Sequence, residues 1–348
     1  MLHLELRAAL LAKNPLADII GQDTVKTELR STLLAGRNVV IIGPPGVGKT
    51  TLAKNVAKNL PELKVQNCPY HCTPKNPVCP ECRAGKTKGS KTISGAERFV
   101  RIQGSPDLTA EDLIGDIDPL KAMKFGPLSM EAFTPGKLFK ANNGILFFDE
   151  LNRCPEKLQN ALLQALEEHK VTIGSYDVDL ETDFLFIATM NPEDPSTERL
   201  SEVLIDRFDV ITMGYPNTLD HELEIVQKSG KHLGVSFPPT LLASTIQFVR
   251  TLRQSDKLEK KPGVRASLGL YERSQANALL RGAKEVSSDD VRAAVPSVLA
   301  HRLKLKPSVE YLKEPAEFLR EELAKFTKDH AEFAPGTPTE HGNRGEGL

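Results

Sequence analysis

The chain has 348 residues, of which 40% are hydrophobic and 26% charged, with 45 Lys and Arg against 46 Asp and Glu. That length exceeds one ordinary core, so two or more domains are expected, and a net charge of −1 supplies no overall field to recruit nucleic acid or an anionic membrane. No apolar run approaches a membrane span, and the first residues carry Glu5, Arg7 and Lys13 where a signal peptide is apolar, so the expected location is the cytoplasm.

The β-branched run Asn38-Val39-Val40-Ile41-Ile42 leads into Gly43-Pro44-Pro45-Gly46-Val47-Gly48-Lys49-Thr50, and Thr51-Leu52-Ala53-Lys54-Asn55-Val56-Ala57 then reads as a helix. The middle segment fits the phosphate-loop pattern G-x-x-x-x-G-K-[ST], with strand before and helix after. This arrangement aims backbone N–H groups and the positive end of a helix dipole at one point, which suits a polyphosphate. Gly43 to Thr50, with Thr51, are therefore the candidate nucleotide cradle. Lys49 is expected to reach the β- and γ-phosphates of a nucleoside triphosphate, and the Thr50 hydroxyl to bind Mg²⁺.

Next come Cys68-x₃-Cys72 and Cys79-x₂-Cys82, four of the five cysteines, in a proline-rich stretch without helical period. Two close pairs on tight turns hold one tetrahedral ion, and Cys79-Pro80-Glu81-Cys82 has the form of a metal knuckle. Residues 61–97 are thus read as an insert stabilised by structural Zn²⁺. Four thiolates also suit an iron–sulfur cluster, and His71 is an alternative ligand. Disulfides stand last because a reducing cytoplasm disfavours them. Cys154 is expected to be an isolated buried thiol. The run Arg83, Lys86, Lys88 and Lys91 lacks interleaved aromatics and reads as a solvated loop rather than a nucleic-acid surface.

Gly144-Ile145-Leu146-Phe147-Phe148-Asp149-Glu150 is a buried strand that ends in two carboxylates. In an open parallel sheet that end is where ligands bind. Asp149 is the candidate holder of Mg²⁺, and Glu150 the general base that polarises the attacking water. Residues 167–178 read as a helix end followed by a hairpin turning at Gly174-Ser175. A further buried strand, Phe184 to Met190, ends in Asn191-Pro192. Asn191 either orients the water beside the γ-phosphate or simply forms the turn before proline. Val210 to Met213 is a short fourth strand. Arg207, just before it, approaches a phosphate or pairs with Asp206 or Asp209.

After Gly214-Tyr215-Pro216 the pattern becomes amphipathic helices, with apolar positions at Leu223, Ile225 and Val226, then Leu241, Leu242, Ile246 and Val249, then Leu268, Leu270 and Tyr271. Val286-Ser287-Ser288-Asp289-Asp290 opens a capped helix running from Val291 to Leu303, and Phe318–Lys328 forms one more. The expected boundaries are an α/β nucleotide-binding domain over 14–215, carrying the cysteine insert, a smaller all-α domain over 216–330, and a disordered tail over 331–348.

In this order the pieces resemble the AAA+ ATPases, and more closely the branch holding MoxR proteins and the ATPase subunit of magnesium chelatase. The resemblance covers roughly residues 14 to 300. It rests on Ile20-Gly21-Gln22, the phosphate loop, Arg101-Ile102-Gln103-Gly104-Ser105-Pro106-Asp107-Leu108 and Asp112-Leu113-Ile114-Gly115. It continues through Phe148-Asp149-Glu150-Leu151-Asn152-Arg153, Ala188-Thr189-Met190-Asn191-Pro192 and Asp206-Arg207-Phe208. The resemblance implies a P-loop core of parallel sheet flanked by helices, followed by a helical lid. It makes Asn191 the sensor-1 residue, Arg207 the finger that reaches a neighbouring subunit's γ-phosphate, and Arg265 the sensor-2 arginine. Ile19, Ile20 and Gly21 then line the adenine pocket, and Arg153 is a second inter-subunit candidate. Residues 106–140 correspond to the insert in the family's second helix. The branch does not need the cysteine segment.

Family members form rings, usually hexamers. The resemblance therefore implies an ATP-hydrolysing motor that remodels a client with separate partners. These are a von Willebrand factor A protein in the MoxR manner, or the other subunits of a magnesium or cobalt chelatase. The sequence carries no Asp-x-Ser-x-Ser motif, so such a partner acts in trans. A nucleic-acid-associated ATPase that binds through the zinc insert is the alternative. A nucleotide-gated scaffold is the third reading, and intact Glu150 and Arg207 argue against it.

Overall fold

The computed structural model describes residues 2–173, 178–192 and 200–333. The chain divides into two compact units, Met1–Gly214 and Tyr215–Leu348. No helix among the described residues is long and apolar enough to cross a membrane.

Unit one is built on five parallel strands: β1 (Asn38–Ile42), β2 (Phe99–Gln103), β3 (Gly144–Asp149), β4 (Phe184–Met190) and β5 (Phe208–Thr212). Their spatial order is β5-β1-β4-β3-β2. Central strands β1, β3 and β4 are continuous apolar runs buried along nearly their whole length. That follows from helices covering both faces of a parallel sheet. Phe147, Phe148 and Phe186 are fully buried in it. Because the strands run one way, their C-terminal ends share one edge, where Gly43, Gln103, Glu150 and Asn191 emerge.

Helix α1 (Leu2–Leu10) precedes the expected domain start at 14, yet belongs to this unit. Its Leu2, Leu6 and Leu10 recur every fourth residue and are all buried, the stripe a helix needs to pack. Next come α2 (Asp23–Leu34), α3 (Lys49–Lys58) and α4 (Glu156–Glu168).

Two antiparallel strands, Leu63–Gln66 and Ser90–Ile93, bracket the cysteine segment. Cys68, Tyr70, Cys72, Val78 and Cys79 lie in the same core as Leu138, Phe139 and Phe148. The insert is therefore part of the domain interior rather than a pendant finger. A second excursion pairs Gly115–Ile117 with Phe133–Pro135. Its helix Pro119–Phe125 leaves Leu120 and Met123 79% and 87% exposed, with Leu128 also exposed. The expected hairpin pairs Lys170–Ile173 with Val178–Glu181; its Gly174-Ser175 turn lies outside the described residues.

Unit two comprises α5 (Leu219–Ser229), α6 (Pro239–Gln254), α7 (Val264–Leu280), α8 (Ser288–Leu299) and α9 (Pro315–Asp329). Two features depart from expectation. A short antiparallel ladder joins Leu258–Lys260 to Lys304–Leu305, so α8 stops at Leu299 and the chain runs on through a 3-10 turn instead of reaching Leu303 as helix. The tail expected from 331 begins with a structured turn, Ala331–Phe333, because Phe333 is fully buried 5.5 Å from the Phe326 ring. Residues 334–348 lie outside the described set.

A buried charge organises this unit. Glu222, fully buried on α5, receives both terminal nitrogens of Arg253 at 2.6 Å, the Ser267 hydroxyl at 2.5 Å and Arg250 at 3.4 Å. Such a pair is costly to break because one charge stays behind in a dry site. Glu222→Ala is expected to destabilise unit two by about 3–5 kcal/mol, read as a shift of its urea unfolding transition. A loss below about 1 kcal/mol would mean that Arg253 is adequately solvated without its partner.

Candidate nucleotide site

The loop leaves β1 between two neighbours. Gly43 N–H donates to the Met190 carbonyl at 3.2 Å, and Met213 N–H to the Ile42 carbonyl at 2.8 Å. A Cβ on Gly43 would stand 2.1 Å from the Met213 carbonyl oxygen, so only glycine passes here. Gly48 takes φ +106° as the N-cap of α3, a conformation that L side chains rarely adopt. With no capping side chain there, the first-turn N–H groups face the loop. Buried Val47 anchors the turn, while Pro44, Pro45 and Gly46 stay half-buried. Lys49 Nζ lies over the loop, donating to the carbonyls of Gly43 at 2.5 Å and Pro44 at 3.0 Å. Thr51 is exposed on the first turn of α3, and Ile20 and Gly21 are half-buried in the bend before α2. Ile19 is buried, and Gln22 Nε2 donates to the Gly214 carbonyl at 2.9 Å.

Asp149 gathers three side chains. Thr50 Oγ1 approaches its Oδ2 at 3.5 Å, Arg101 Nη2 donates to the same oxygen at 2.6 Å, and Thr189 Oγ1 donates to Oδ1 at 2.6 Å. Glu150 follows in the left-handed region at φ 58°, ψ 54°. For a non-glycine residue that conformation costs of order 1–3 kcal/mol and persists where the surroundings enforce it. The enforcing contact is its N–H, which donates to buried Thr189 Oγ1 at 3.0 Å. Glu150 Oε2 accepts from Gln103 Nε2 at 2.9 Å and pairs with Arg153 at 3.2 Å. Asn191 lies half-buried at the end of β4, its carbonyl accepting from Asn152 Nδ2 at 3.1 Å.

These oxygens form a hard donor set: a hydroxyl and a carboxylate close enough to share one Mg²⁺, with a second carboxylate beside them to take a proton from water. Thr189, Arg101 and Gln103 received no role from sequence reasoning. The signal for the last two is their i, i+2 spacing, which puts both on one face of β2. Only the register Arg101↔Phe147 and Gln103↔Asp149 brings that face to the acidic pair.

Arg207 is not paired with Asp206 or Asp209. Asp209 is taken by Arg37 at 2.6 Å and the Thr32 hydroxyl at 3.1 Å. Arg207 instead pairs with Glu167 on α4 and donates to the Val203 carbonyl, and its buried Nε finds no hydrogen-bond partner among the described residues. Arg265 belongs to unit two, exposed in the first turn of α7.

The thiols of Cys68, Cys72, Cys79 and Cys82 all lie within 4.8 Å of one another, and no disulfide joins them. The Cys72 and Cys79 thiols hydrogen-bond to Cys68 and hold it far below the usual thiol range, and the same contacts push Cys72 and Cys79 up. Four sulfurs thus stand within reach of one ion. This soft donor set fits a thiophilic cation. His71 is outside the thiol group, and burial pushes its imidazole pKa down. Cys154 is buried, its thiol 3.7 Å from the Pro155 carbonyl.

The family models agree with this architecture. Residues 81–210 match the ATPase family associated with various cellular activities, residues 261–322 the AAA lid domain, and residues 15–73 magnesium chelatase subunit ChlI. Along most of its length the chain is similar to the AAA+ ATPases. Residues 74–80, which lie between two of these matches, fall inside the cysteine segment. The chain is 28% identical over 334 residues to the magnesium-chelatase 38 kDa subunit of Acidiphilium rubrum, covering 87% of this chain and 94% of that one. It is 27% identical to the uncharacterized protein YeaC of Bacillus subtilis, covering 89% and 91%. It is 25% identical to a magnesium-chelatase subunit ChlI homolog of Methanocaldococcus jannaschii, covering 90% and 91%.

Thr189→Val keeps the shape of the strand end but leaves Asp149 and the Glu150 N–H without their shared hydroxyl. A lost buried hydrogen bond costs about 1–3 kcal/mol, so the Mg²⁺ needed for half-saturation of ATP binding should rise about tenfold. Magnesium titration of a fluorescent ATP analogue reads this. An unchanged midpoint would mean that Thr189 only packs.

Proposed function

We propose that this chain hydrolyses ATP as one subunit of an AAA+ ring and applies the resulting motion to a client held with partner proteins. The observation that carries the reading is the meeting of Thr50, Asp149 and Glu150 at one edge of the sheet, beside the Lys49 loop. In this reading the loop amides of 46–50 and Lys49 hold the β- and γ-phosphates, and Thr50 and Asp149 hold Mg²⁺. Arg101 and Lys49 must first yield their present partners to these ligands. Glu150 takes a proton from water as its oxygen attacks the γ-phosphorus. The bond to the bridging oxygen then breaks, releasing ADP and phosphate. Asn191 orients that water. Ile20 and Gly21 contact adenine, and Arg265 of the lid approaches the γ-phosphate.

Arg207 is assigned to the neighbouring subunit's γ-phosphate. Its contact with Glu167 supports this role, because assembly then exchanges one anionic partner for another. The hydrolytic step gains charge stabilisation only when subunits meet, and such a finger contributes about 10³–10⁵ in rate. The ring is proposed to be a hexamer.

The relatives named as magnesium-chelatase subunits favour a chelatase-like motor, with partner subunits handling the metal and its tetrapyrrole. A MoxR-like pairing with a von Willebrand factor A protein is the other form of the same reading. Exposed Leu120, Met123 and Leu128 offer an apolar grip for either client. The cysteine cluster is assigned structural Zn²⁺, and five free thiols suit the reducing cytoplasm. The nucleic-acid alternative loses support from the insert itself, whose cysteine face is spent in the core and whose Lys86 is paired with Glu131 at 3.0 Å.

Glu150→Gln should bind ATP and assemble normally while its turnover falls about 10²–10⁴-fold. Arg207→Ala should also bind ATP, lose about 10³-fold in rate, and no longer accelerate with protein concentration. Equal rates per subunit for dilute and concentrated wild-type chain would sink the shared-site assignment.

A further inference from the structure

The cysteine segment is fastened to the foot of the strand that ends in the acidic pair. Asn142 Nδ2 donates to the Tyr70 carbonyl at 3.0 Å, and Asn143 Nδ2 to the His71 carbonyl at 3.1 Å. Tyr70 and His71 lie between the first two thiols, Cys68 and Cys72. The same asparagines hold the start of β4. Asn142 Oδ1 accepts the Asp183 N–H at 3.0 Å, and Asn143 N–H donates to the Asp183 carbonyl at 2.6 Å. Asn143 at φ 59° and His71 at φ 47° are both left-handed, a state non-glycine residues keep only where neighbours hold them. The Tyr70 ring packs on Phe139 with centroids 5.6 Å apart. Beside this joint, Pro69 and His71 face Phe99, Val100 and Arg101 of β2 across an open cleft of 520 Å³. Arg101 is the residue that reaches Asp149.

The thiols also discriminate between kinds of metal. Bonds of about 2.3 Å to a single tetrahedral ion place its sulfurs roughly 3.8 Å apart. Sulfurs within 4.8 Å of one another need only a small contraction to reach that. An iron–sulfur cluster must enclose several irons and sulfides inside its cysteine shell, and this shell is too tight for it. Val78 and Cys79 N–H groups donate to Cys72 Sγ at 3.3 Å, and Cys82 N–H to Cys79 Sγ at 3.4 Å. Such donors stabilise thiolate charge and orient the ligands.

We propose that a single thiolate-bound ion at Cys68, Cys72, Cys79 and Cys82 is the fastener of β3, so that metal loading positions Asp149 and Glu150 from the opposite end of their strand. The proposal rests on the metal assignment above and adds what the ion does. Asn142 and Asn143 are the positioning residues that transmit it.

The test uses the full-length chain under reducing conditions, loaded with Co²⁺ in place of Zn²⁺. One equivalent should bind with thiolate charge-transfer and tetrahedral d–d absorption. Hydrogen exchange of amides 143–147 should be slow in the loaded chain and about tenfold faster after chelation, while amides of α7 in unit two stay unchanged. Asn142→Ala should keep the cobalt spectrum and still show the fast exchange. If loaded and chelated chains exchange alike at 143–147, the fastening role is wrong while the metal assignment stands. If exchange rises equally in β1, the ion stabilises the whole unit and the local role is again overturned. Absence of the thiolate–cobalt bands, or recovery of iron with inorganic sulfide, removes the mononuclear site itself.

Discussion

One carboxylate organises the nucleotide edge of this protein. Asp149 is only 13% exposed, and a charge so placed must be matched by donors. The donors come from three separate segments: Thr50 at the start of α3, Arg101 on β2 and Thr189 on β4. Each flanking strand of β3 therefore contributes one donor, and the phosphate loop contributes the third. The hydroxyl of Thr189 also fixes the Glu150 backbone in its strained turn. Loop position, the Thr50–Asp149 pair and the Glu150 backbone are consequently coupled through a few ångströms of hydrogen bonding.

The same rule recurs away from the site. Arg98 is 1% exposed, yet all its nitrogens find partners in Glu5, the Pro61 carbonyl and the Asn143 carbonyl. It thereby ties the N-terminal helix to the foot of β3, on the side where the cysteine segment is attached. In unit two, Glu222 plays the corresponding part for α5, α6 and α7. Both units thus hold a deeply buried charge whose polar atoms are paired, and removing its partner would leave it uncompensated in a dry site.

Much of the fold and of the candidate site was legible because it depends on local chemistry. The phosphate loop leaves no room for a Cβ at Gly43 and takes a left-handed φ at Gly48, and the buried strands had to be apolar runs. What sequence reasoning missed is equally physical. Helix α1 is hard to see in the sequence because its stripe of Leu2, Leu6 and Leu10 is short and stands ahead of the phosphate loop. Phe333 looked like part of a polar tail, since only the aromatic cluster of Phe248 and Phe326 gives it a place. The insert was readable as a metal ligand set but not as core, because nothing in Cys68–Cys82 names the Asn142 and Asn143 side chains that receive it.

The amino-acid order by itself determined the nucleotide cradle, the acidic pair and the four-thiol set, because each is a run of neighbouring residues whose chemistry needs that spacing. Tertiary structure alone decided that Arg101, Gln103 and Thr189 meet the acidic pair, that Glu167 rather than Asp206 or Asp209 holds Arg207, and that Asn142 and Asn143 receive the thiol segment. Those partners lie tens of residues apart, and strand order and register bring them together. Neither is encoded in any short stretch of chain.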